Sequence, residues 1–135
     1  MQDRINIDKR DRVLYERLDK EDMFKGKTRK EQFLFTMAVG FKNDARVPLE
    51  TREGLFLIKD MKPDDEALIN AVAIAATGSE SCLLNKDDVY QIAEQYGHGG
   101  IRILIDKIDG MEFATFWKRF ELELHQMFTN RGLAE

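Results

Sequence analysis

The segment ALINAVAIAATG, residues 67–78, constrains the fold more than any other part of the chain. Between Ala67 and Ala76 only Asn70 is polar. A helix that is apolar all round is expected to be packed on more than one side. Its ends carry their own signals. Pro63 suits the first helical position, where a missing amide costs nothing. Asp64, Asp65 and Glu66 follow, where the helix dipole favours negative charge. Gly78 supplies the stop. The expectation is a central helix with the rest of the chain packed round it.

Size and composition limit what that rest can be. A chain of 135 residues fits one domain, 1–135, and can bury a core without a disulfide or structural metal. With 43% hydrophobic and 34% charged residues it reads as globular, not disordered. One cysteine, Cys82, excludes an intramolecular disulfide and a cysteine metal cluster. It reads as a small core residue in a reducing compartment. No stretch has the length of a membrane span, and the start lacks the apolar core of a secretory signal. The expected location is the cytoplasm.

The remaining elements follow from local chemistry. Residues 3–7 alternate polar and apolar, which predicts a short strand with Ile5 and Ile7 on one face. Asp8 is placed to cap a helix over 9–20, with Val13, Leu14 and Leu18 on its buried stripe. Thr28 and Glu31 form a capping box that opens a helix to about Phe41. Its stripe is Phe33, Leu34, Met37, Ala38 and Phe41. Pro48 argues against helix around it, and Leu55–Ile58 is either a strand or a buried helical turn. A helix from Asn85 or Lys86 through Val89, Ile92, Ala93 and Tyr96 is expected to stop at Gly97. After Gly99 and Gly100, residues 101–108 fit a helix better than a strand, ending at Gly110. A long last helix, about 112–130, carries an aromatic stripe. The fold class is mainly α: one compact domain of five to six helices around residues 67–76, with a short N-terminal strand or small hairpin.

No catalytic constellation is visible. His98 and His125 lack any metal-ligand spacing. His98 reads as a surface or capping residue in a glycine turn, and His125 as solvent-facing. The Gly97-to-Gly100 cluster lacks the lysine of a phosphate loop. No G-x-S-x-G is present. The expectation is a non-enzyme with no cofactor and no metal.

Charge suggests two binding modes. Residues 1–30 carry ten Lys/Arg against seven Asp/Glu, while residues 61–135 carry seven against thirteen. Strand, helix, loop and capped helix is the order of a ribbon–helix–helix DNA reader. Strands paired across two copies would then present Arg4 and Asn6 to the major groove. Lys27, Arg29 and Lys30 at the Thr28 helix start would meet a phosphate, with Lys9, Arg10 and Arg12 adding backbone contacts. The simpler account is solvated helix faces with local ion pairs. In the last helix, Phe113, Phe116, Trp117, Phe120 and Phe128 are either core or a surface for a protein partner or second copy.

Three segments carry a family resemblance. They are MAVGFKNDARVPLE (37–50), ALINAVAIAATG (67–78) and QYGHGGIRIL (95–104), with KRDRVLYERL (9–18) similar to the family's opening. Over about residues 5–108 the chain resembles the small bacterial accessory proteins found beside DNA-phosphorothioation (dnd) genes. The resemblance implies a role beside the enzymes that place sulfur in the DNA backbone or restrict unmodified DNA. It carries no catalytic residue, and 112–130 falls outside it. Two readings remain: a non-catalytic interaction subunit of that defence system, whose partners are its other proteins, or a small DNA-binding protein that acts on duplex DNA, with a homodimer as one of its forms.

Overall fold

The computed structural model describes residues 1–110 and 113–130. The order is strand β1 (Arg4–Asp8), α1 (Arg12–Leu18), α2 (Arg29–Lys42), β2 (Arg52–Leu57), α3 (Pro63–Thr77), α4 (Lys86–Gly110) and α5 (Phe113–Asn130). The centre is the α2–α4 pair, not the apolar segment 67–76.

The glycines explain that centre. A Cβ on Gly40 of α2 would lie 2.0 Å from the Tyr96 carbonyl oxygen, and one on Gly100 would lie 1.8 Å from that of Thr36. The two backbones meet where no side chain fits between them. Glycine inside a helix costs roughly 1 kcal/mol against alanine. Here that loss is offset by close packing around Phe33, Met37, Val39, Ile101 and Leu104, all buried. The expected break at residues 97–100 is therefore absent, and α4 runs unbroken from Lys86 to Gly110. The glycines mark a helix crossing, not a helix stop.

β1 and β2 pair antiparallel, so the strand expected near residue 5 and the apolar run near Leu55 are one hairpin-like ribbon. The register shifts between Ile5 and Asn6, which sets Gly54 opposite Asn6. Ile5 and Ile7 are both buried, as alternation requires. Asp8 caps as expected, its carboxylate accepting from the Arg10 amide. A 3-10 turn, Lys9–Asp11, intervenes before α1 begins. The buried face of this segment therefore runs through Asp11, Tyr15 and Leu18, and Val13 is exposed.

Local signals at other helix starts hold. The Thr28–Glu31 capping box is formed, Pro63 opens α3, and Gly78 closes it in the left-handed region at φ 76°. The position of α3 does not hold. Only Ile69, Val72 and Ala73 of this helix are buried, Leu68, Ala75 and Ala76 are half-buried, and Ala67 is exposed. It packs against α4 and the edge of α2 at the periphery. Burial of the α2–α4 backbones leaves α3 one flank of the core, where the 3-10 turn Glu80–Leu84 also packs against it.

Candidate functional site

Two places on this frame hold more than packing. The first is a charged network between the N-terminal ribbon and α4. Glu94, His98 and Arg102 are spaced by one turn, so they line a single face of α4. Glu94 is 2% exposed and accepts four hydrogen bonds, all to one carboxyl group. They come from the Asn6 amide (2.7 Å), Asn6 Nδ2 (3.1 Å), Gln2 Nε2 (2.6 Å) and the Arg52 guanidinium (2.5 Å). Burial pushes the Glu94 carboxyl up, and these donors pull it back only in part.

One turn on, His98 Nδ1 lies 2.5 Å from Asp11 Oδ2, and its Nε2 lies 4.0 Å from Asp8 Oδ2. With the Asp11 carboxylate as acceptor, Nδ1 carries the proton. Both aspartates are fully buried. Arg102 bonds the other Asp11 oxygen at 2.9 Å. The fork of Arg10 bonds both oxygens of Asp8, and the Glu50 amide donates to it as well. The Arg10 guanidinium holds the Asp8 carboxyl well below the usual carboxylate range, against the opposing effect of burial. His98 is thus a buried residue hydrogen-bonded to Asp11 and not a turn residue. The network ties the first twelve residues to α4. It presents no nucleophile, and among the described residues no group of three or more His, Cys, Asp or Glu could hold a metal.

Most of the residues expected to read DNA meet partners within the chain. Asn6 turns inward to Glu94. β1 finds its ribbon partner in β2 of the same chain. Arg10 and Arg12 are engaged by Asp8 and Glu53. Lys27 lies 4.0 Å from Glu31, Arg29 lies 2.7 Å from Asp19, and Lys30 lies 2.7 Å from Asp65. Arg4 lies 3.5 Å from Asp3, and Lys9 is exposed. The basic N-terminal third is largely internal ion pairing.

The second place is an open groove of about 400 Å³ between α2, α3 and α5. Leu34, Phe35 and Ala38 of α2 form one wall, and Phe120, Leu124 and Phe128 of α5 the other. α3 contributes Leu68. The polar lining is Glu31, Glu121 and His125, and His125 is solvent-exposed as expected. α5 is held by Phe35 against Phe120 (5.1 Å), by Phe41 stacked on Phe128 (5.7 Å) and by Lys42 paired with Glu123 (2.5 Å). Of the aromatic stripe, Phe120 is core and Phe128 lines the groove. Phe113, Phe116 and Trp117 lie outside the described side chains.

Sequence reasoning missed Glu94, Asp11, Arg52 and Arg102. The signal was present in the four-residue spacing of Glu94, His98 and Arg102, but it appears only once α4 is read as continuous. Leu34, Leu68 and Leu124 carried no signal that separates a groove wall from core.

A family model described as DNA sulphur modification system-associated protein 4 matches residues 4–129. The match takes in most of α5, which the three resembling segments did not reach. No curated protein and no solved structure matches the chain.

Proposed function

The chain belongs to the family of DNA sulphur modification system-associated protein 4, and from that premise we propose that it is a non-catalytic interaction subunit of a phosphorothioation-linked modification or restriction system. One observation carries the reading. The most apolar helix of the chain, α3, lies at the periphery beside an open apolar groove. Apolar surface left uncovered by a monomer is the usual mark of a partner site. The chemistry that a catalytic role would need has little support: the imidazole of His98 is enclosed by Asp8, Asp11 and the ribbon. The reading as a ribbon–helix–helix DNA reader has less support too, because β1 pairs within the chain and most of its cations face their own carboxylates.

The test is co-purification of the tagged chain with the modification and restriction proteins of the same system. The expected result is a defined complex that is lost in Leu124→Asp, with the circular dichroism of the variant unchanged. A second variant, Leu68→Ser, removes the apolar contribution of α3 to the groove. Retention of the complex by both variants, or no complex with any of those proteins, would refute the proposal.

A further inference from the structure

We draw no further inference here: the strongest candidate, the open apolar groove between α2, α3 and α5, belongs to the site already described, and nothing in the structure shows what covers it.

Discussion

Replacing Gly100 by alanine is the sharpest perturbation of this fold, because two physical effects predict opposite signs. In an isolated helix, Gly→Ala stabilises by about 1 kcal/mol. In this chain the new Cβ would meet the Thr36 carbonyl oxygen at 1.8 Å and the Gly40 amide nitrogen at 2.7 Å. A carbon–oxygen contact relaxes to about 3.3 Å, so α2 and α4 must separate locally by about 1.5 Å. Both obstacles are backbone atoms, and neither can rotate away. Overpacking against side chains costs about 1–3 kcal/mol. Parting two backbones also loosens Phe33, Met37 and Leu104, which are fully buried beside the crossing. The net expectation is a loss of about 3 kcal/mol or more, after the propensity gain. For a domain of this size that lowers Tm by roughly 10 °C or more. Thermal melts followed by circular dichroism measure it. Gly110→Ala is the control, since among the described residues nothing lies within 4 Å of its Cβ position, and it should be neutral or slightly stabilising. A Gly100→Ala protein as stable as wild type would refute the backbone-to-backbone crossing of α2 and α4.

Acid titration tests the network on α4. The Asp8 carboxyl is depressed in the fold from an ordinary value near 3.8, so its contribution is present above that pH and is lost as pH falls through the folded value; denaturant melts of Asp8→Asn should lack this acid-sensitive component, and an unchanged acid limb would count against the pair with Arg10. Glu94 has the opposite sign. Burial raises its carboxyl above the ordinary 4.5, so the fold binds the proton more tightly than the unfolded chain does, and stability declines as pH rises from about 4.5 to the folded value. Glu94→Gln should flatten that decline, which a pH series of urea midpoints would reveal. Thr28→Ala removes the hydroxyl that accepts from the Glu31 amide at 3.1 Å and should cost about 1 kcal/mol, read as a shift in urea midpoint without a change in slope.

Features governed by neighbours along the chain were legible before any fold was known. The Thr28–Glu31 box, the Pro63 start, the Gly78 stop and the Asp8 cap each involve groups within a few residues. Local sterics and hydrogen bonding decide them. The alternation that buries Ile5 and Ile7 belongs to the same class, since a strand has only two faces.

Tertiary structure decided the rest, because the deciding atoms lie far away in sequence. Glycine after Tyr96 has the same local chemistry whether it ends a helix or lets another helix approach. The contacts that settle it come from Phe33 at Gly97, from Ala45 at Gly99, and from Thr36 and Gly40 at Gly100. His98 became a buried, hydrogen-bonded residue once Asp8 and Asp11 arrived from the other end of the chain. Asn6 turned inward because Glu94 offered an acceptor there. The 67–76 segment shows the same division most plainly. Its composition determined a helix with much to bury, and Pro63 and Gly78 determined its ends. Its place at the edge followed from the α2–α4 crossing, since two glycine-lined backbones pack more closely than any helix carrying side chains can pack against either of them.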